Sequence, residues 1–265
     1  MAERLPPLSP SAFFMSEGRM EREFHFLMLA GLLFCSAPVF SQSTSGGLSL
    51  SQTRVILSAG SSGENVSRHN PGERPWLIRG RVFTGPEQET PAPFMVTPPL
   101  FRLEAGGSNT VRIMPQGIQA LPADRESVFY LSFLAIPPSS RSLDSEPSVS
   151  VAAQVTVGVD TVIKLFYRPA GLADTPQVAA GKLSFHYIHR HVEVSNPTPY
   201  WQTLSMLSFN GKKVDVRHHG SMIAPYSSRQ YPQNKQPQTV EWTVITDYGG
   251  NSPAFHAVVK AGERP

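Results

Sequence analysis

Chemistry in this chain could come from only a few kinds of residue cluster. Three histidines lie close together, His186, His189 and His191, with His218 and His219 further on. His189 and His191 would share one strand face, so a metal site is conceivable there. Structural zinc usually adds Cys ligands and catalytic zinc a tighter spacing, so no metal is expected. No GxSxG, GxGxxG or P-loop pattern occurs and no carboxylate pair stands out, so neither a cofactor nor an enzyme activity is expected. The most regular pattern is of another kind. Val149, Val151, Ala153, Val155, Val157 and Val159 are six alternate apolar positions. On an ordinary strand it would face the protein's own core.

The elements that must carry this row are strands. The chain holds 25 Pro among 265 residues, with 16% charged and 40% hydrophobic residues. That is a chain with enough apolar material for a core and little charge on its surface. The net charge of +3 is small and the Lys and Arg residues are scattered, which argues against nucleic acid as a partner. Short β-type runs separated by turn chemistry begin at Leu48: Leu48–Leu57, Arg74–Phe83, Phe94–Leu103, Thr110–Met114, Ser127–Ile136 and Val149–Tyr167. Pro98-Pro99 makes the third run an edge strand or one that switches sheets. Ser127–Ile136 is almost wholly apolar and reads as a central strand buried on both sides. After Arg168-Pro169-Ala170-Gly171 a second set follows: Leu183–Ile188, His191–Val194, Tyr200–Phe209, Lys213–Arg217, Ser228–Tyr231, Thr239–Thr246 and Ala254–Val259. Asn210-Gly211 and Gly249-Gly250 are hairpin-type turns. No helix of normal length shows a 3.6-residue period. Two sandwiches of about seven strands each are the expected packing.

The N-terminus has a different character. Arg19 and Arg22 precede the apolar segment Phe24–Phe34, and Val39-Phe40-Ser41 forms a small-residue cleavage signal before Gln42. That is the layout of a secretory signal peptide, and the run is marginal for a membrane span, so no membrane insertion is expected. Residues 1–41 are therefore expected to be an N-terminal extension and cleaved leader, with Met20 a candidate start. Its removal takes away Cys35, the single Cys, leaving an exported protein held by its cores alone. The bacterial periplasm suits such a protein.

Six stretches, in order, resemble the periplasmic pilus-assembly (PapD-like) chaperones. They are Gln52-Thr53-Arg54-Val55-Ile56, Val96–Leu103, Leu121–Tyr130, Ile163–Pro169, Asn196-Pro197-Thr198-Pro199-Tyr200 and Asp247-Tyr248-Gly249-Gly250. The resemblance implies an all-β fold of two immunoglobulin-like β-sandwiches arranged as a boomerang, with domains over 42–169 and 170–265. It implies binding of pilus or fimbrial subunits by donor-strand complementation and delivery to an outer-membrane usher. By motif position, Arg54 and Lys164 would anchor the subunit's C-terminal carboxylate. Val151, Ala153, Val155, Val157 and Val159 would be the donor row, and Glu126, Arg168 and Asp247 an interdomain salt bridge. A fork-shaped guanidinium beside a compact ammonium is well suited to hold one carboxylate.

The sequence departs from the family in three places. The 25 residues between Pro138 and Lys164 resemble the long-loop branch, yet the Cys pair typical of that branch is absent. Arg79-Gly80-Arg81 would make one strand face unusually basic. Val159 and Lys164 have opposite parity, so they face opposite sides unless a bulge intervenes. An unpaired apolar row also invites self-association, so a self-capping homo-oligomer is expected of the free protein. The competing reading is an exported tandem immunoglobulin-like adhesin or carbohydrate-binding protein. It accounts for the leader and sandwiches but not for Arg54 with Lys164.

Overall fold

The computed structural model describes residues 47–138 and 157–262. The leader with Cys35, the loop Ser139–Ser148, and the donor positions Val151, Ala153 and Val155 lie outside the described residues.

The first sandwich begins with β1 (Ser49–Leu50), β2 (Arg54–Ser58), β3 (Glu64–His69) and β4 (Trp76–Phe83). It continues with β5 (Phe94–Thr97), β6 (Leu100–Leu103), β7 (Ser108–Pro115), β8 (Ser127–Ile136) and β9 (Val159–Arg168). One sheet runs β1-β3-β7-β5 and the other β2-β9-β8-β4-β6. Two runs that look continuous in the sequence are split between the sheets. Leu48–Leu57 divides at Gln52-Thr53, and Phe94–Leu103 divides at Pro98-Pro99, where neither proline can donate to a ladder. β3 went unread because Glu64–His69 is mostly polar, and only Val66 and Arg68 are buried.

β8 is central in its sheet, but burial on both sides is corrected. Phe129, Leu131, Phe133 and Ala135 enter the core, while Val128, Tyr130, Leu134 and Ile136 are half-buried on the outer face. The β8–β9 register is unbroken from Ser127↔Tyr167 to Ala135↔Val159, so no bulge intervenes. Ile163, Leu165 and Tyr167 therefore point into the core while Lys164, Phe166 and Arg168 point out. Val159 has the parity of the core residues and faces away from Lys164.

The second sandwich has β10 (Ser184–Ile188), β11 (His191–Asn196), β12 (Gln202–Phe209), β13 (Lys212–Lys213) and β14 (Met222–Ile223). β15 (Ser227–Pro232), β16 (Thr239–Val244), β17 (Phe255–Val258) and β18 (Lys260–Ala261) complete it. Its sheets run β15-β11-β10-β18 and β13-β12-β16-β17, with β14 also on β12. Trp242 and Tyr231 are its largest buried side chains. Two helical turns flank it, α1 (Pro176–Ala180), capped by Thr175, and α2 (Val216–His219). α2 corrects the expected strand Lys213–Arg217: the Asp215 carboxylate accepts from the backbone N–H groups of Arg217 and His218 and starts a helix instead. Asn210 and Gly211 both have positive φ, as a type I′ hairpin requires. His189 and Arg190 form another such turn, which removes His189 from the strand face it was expected to share with His191.

Candidate functional site

The site grows from one parallel pairing. β2 runs alongside β9 with Arg54 opposite Lys164, Ile56 opposite Phe166 and Ser58 opposite Arg168. On β2, Val55 and Leu57 are fully buried in the first core, which turns Arg54 and Ile56 outward. The same alternation on β9 turns out Lys164, Phe166 and Arg168. The parallel pairing and the alternation on each strand thus bring two cations, Arg54 and Lys164, onto neighbouring strands from positions 110 residues apart in the chain.

Both cations are half-buried. Arg54 lies over the Phe166 ring at 5.7 Å, and its Nη1 donates to the Ile245 carbonyl of the second sandwich at 3.1 Å. Its Nε is buried with no hydrogen-bond partner among the described residues. Burial pushes the Arg54 guanidinium below its ordinary range, an effect partly opposed by Asp247 and Glu126. Burial likewise pushes the Lys164 amine down, and the positive charge of Arg54 pushes it further. The pair therefore holds two like charges that repel one another in a partly dry place.

Arg168 sits on the same strand face and joins the two sandwiches. Its Nε donates to Glu126 Oε1 at 2.7 Å, its Nη1 to Asp247 Oδ2 at 2.8 Å and its Nη2 to Asp247 Oδ1 at 2.9 Å. The side chains are 17% exposed for Arg168, 3% for Glu126 and 27% for Asp247. Glu126 also receives the backbone N–H of Trp201 at 2.8 Å, while its own N–H donates to the Pro199 carbonyl at 2.9 Å. Burial raises the Glu126 carboxyl above its ordinary range, with Arg168 offsetting part of that. Burial alone would lower Arg168, but the bonds and charges of Asp247 and Glu126 outweigh it and hold the guanidinium protonated.

The backbone around these groups is braced. The buried Asn196 amide donates to the carbonyls of Tyr200 and Ala224, and the Thr198 hydroxyl donates to Asn196 Oδ1. This shapes residues 196–200 into the loop that meets Glu126. On the other side, Gly249 has φ +84°, and a Cβ there would run into the Thr53 hydroxyl, next to Arg54. Only glycine allows the 246–250 turn to lie so close to the start of β2.

The expected donor positions separate. Val157 and Val159 are 71% and 52% exposed at the entry to β9. The edge of β9 beyond its pairing with β2 is open among the described residues. Sequence reasoning missed Phe166, Trp201 and Gln202, which help to line a cavity of about 100 Å³ between the sandwiches, together with Arg54. The Tyr200-Trp201-Gln202 string beside the braced loop was the available signal for two of them. Among the described residues no group of His, Cys, Asp and Glu could hold a metal ion.

Comparison with known proteins gives two family matches. Residues 47–173 match the pili and flagellar-assembly chaperone, PapD N-terminal domain, and residues 178–256 the pili assembly chaperone PapD, C-terminal domain. The chaperone protein AggD of Escherichia coli is 36% identical over 228 residues, covering 83% of this chain and 86% of the relative. The E. coli chaperone protein AfaB is 37% identical over 211 residues, covering 77% of this chain and 81% of the relative. Among solved structures, the E. coli chaperone DraB superposes with a TM-score of 0.69 at 39% identity, over 80% of this chain and 96% of that one. The Salmonella enterica SafB chaperone, solved in complex with the SafA pilin, matches with a TM-score of 0.68 at 32% identity, over 80% of this chain and 96% of the matched chain.

Proposed function

This chain belongs to the PapD-like family of pilus-assembly chaperones, and we propose that it captures a subunit by its C-terminal carboxylate at Arg54 and Lys164. It is a fimbrial chaperone that binds pilus subunits. The observation that carries the proposed anchor is the Arg54–Lys164 pairing: two half-buried cations on paired strands, mutually repulsive, with Nε of Arg54 unpartnered among the described residues. A carboxylate placed between them relieves the repulsion and makes charge-assisted hydrogen bonds.

From that anchor the captured chain runs out along the open edge of β9. Val157 and Val159, with Val155, Ala153 and Val151 before them, fill the groove left by the subunit's missing strand. The hydrogen bonds come from backbone and the apolar contacts from alternate side chains, as in strand addition generally. Glu126, Arg168 and Asp247 hold the two sandwiches so that both flank the anchored carboxylate. The domains are taken as 42–169 and 170–265. The protein works in the periplasm after its leader is cleaved, hands its subunit to an outer-membrane usher, and self-caps when free. Among the described residues no helix is long and apolar enough to cross a membrane.

Arg54→Ala and Lys164→Ala test the anchor. Each variant is expected to melt as the wild type does and to lose its subunit on purification from periplasm. Losing one charge-assisted anchor weakens capture by about 1.5–3 kcal/mol. Normal retention by a folded variant refutes the assignment.

A further inference from the structure

The cavity beside Arg54 is not required for holding a carboxylate. At about 100 Å³ it is several times the roughly 10–15 Å³ that one water needs by the same measure. Ile56, Phe166, Val244 and Phe255 make its wall largely apolar. Gln177, Gln202, Thr246 and Ser252 add neutral polar groups to that wall. Of these, Gln202 is buried, at 3% exposed. The cationic and carboxylate groups in the wall are differently placed. Arg168, Glu126 and Asp247 satisfy one another, whereas Arg54 keeps an unpartnered Nε.

We propose that this cavity is a side-chain pocket for the last residue of the captured subunit, selecting a branched or aromatic terminal residue. The inference rests on the carboxylate anchor proposed above and adds what that anchor selects. A carboxylate on Arg54 places its residue's side chain two bonds beyond the carboxylate carbon, beside a wall that Arg54 itself helps to form. An apolar side chain there loses its water against Ile56, Phe166 and Phe255. An atom able to hydrogen-bond at its tip meets the Gln202 amide. An acidic side chain meets Glu126 and Asp247 and is rejected; glycine leaves the cavity unfilled and gains nothing from it.

The test uses dye-labelled dodecapeptides of one sequence that end in Phe, Leu, Gly or Asp, each as free acid and as C-terminal amide. Binding to the wild-type protein is read by fluorescence polarisation. The expected result is at least tenfold tighter binding of the Phe and Leu acids than of the Gly and Asp acids, and weak binding of every amide. Ile56→Trp, which fills the cavity, is expected to bring Phe and Gly acids within about twofold while the acid still outbinds the amide. Since the peptide series on wild type decides the matter alone, a misfolded Ile56→Trp protein leaves the test intact. Acids that outbind amides with no dependence on the terminal residue overturn the pocket and leave the anchor standing. Acids and amides that bind equally overturn the anchor reading and the pocket with it.

Discussion

Replacing Arg168 by Met is expected to weaken the folded protein by about 3 kcal/mol. The side chain makes three charge-assisted hydrogen bonds at 2.7, 2.8 and 2.9 Å, one to Glu126 and two to Asp247. Methionine retains the apolar stem, so what is lost is the guanidinium. Glu126, only 3% exposed, is then left as a buried charge without its cation. Stranding a buried charge in this way costs about 3–5 kcal/mol. Asp247 is 27% exposed and turns to water instead, so its arm adds little and the total sits at the low end. With a urea slope of about 2–3 kcal/mol/M, the midpoint falls by about 1 M or more. Glu126→Gln in the same protein removes the stranded charge and is expected to restore about half of the loss. Circular dichroism in urea, with solution scattering on the folded variants, measures both the loss and the loosened domain orientation. A midpoint shift below about 0.3 M, or no recovery on adding Glu126→Gln, refutes the argument and reduces the network to surface ion pairs worth under about 1 kcal/mol.

Subunit capture is expected to weaken as pH rises through the lowered range of free Lys164. A bound carboxylate raises that amine again, so the complex binds more protons than its parts; calorimetry in alkaline buffers of different ionisation enthalpy reads this uptake. Equal heats in all buffers count against the anchor, and Lys164→Ala is expected to abolish any difference. Val157→Thr with Val159→Thr is expected to change stability by less than about 0.5 kcal/mol, because both side chains are exposed, while weakening both subunit binding and self-association. Sedimentation and co-purification decide this, and a wild type that is monomeric at high concentration refutes self-capping. Gly249→Ala forces a side chain into φ +84° and against Thr53. It is expected to lower stability by about 1–2 kcal/mol and to weaken capture by displacing the start of β2, as melting and pull-down measure; an unchanged melt shows that the turn yields freely.

The legible parts of this molecule share a physical cause. β8, β11 and β16 bury alternate positions, so their patterning announces them within about two residues. β3 stays hidden because its core-facing positions are Val66 and Arg68, and a buried arginine looks like a surface one in sequence. Arg68 lies over Phe133 at 5.5 Å and donates only to the Thr161 hydroxyl among the described residues, a packing no spacing rule encodes. α2 falls where the pattern points to a strand, because four residues are too few to show a helical period and the deciding contact is one side chain, Asp215. At the site, Arg54 and Lys164 stand out only by motif position. What the sequence alone does not hold is their adjacency, since that arises from a parallel pairing between strands far apart in the chain. The cavity is further out of reach still, because its walls come from both sandwiches and exist only once they meet.

The hinge and the anchor are parts of one electrostatic arrangement. On the facing surfaces stand three cations, Arg54, Lys164 and Arg168, and two carboxylates, Glu126 and Asp247. Both carboxylates also act on Arg54 at longer range, so they are available to it in principle. Arg168 takes them by geometry: its fork matches Asp247 with two bonds and reaches Glu126 with the third. That assignment leaves Arg54 and Lys164 without a carboxylate of their own and the five groups with a net charge of +1, so a single incoming carboxylate would relieve the pair's repulsion and neutralise the group. Were Arg168 uncharged, Asp247 and Glu126 would turn their attraction on Arg54 and compete with the subunit's terminus from within. On the proposed anchor, Arg168 would serve capture twice, by joining the sandwiches and by keeping the protein's own carboxylates away from the place where the subunit's would bind.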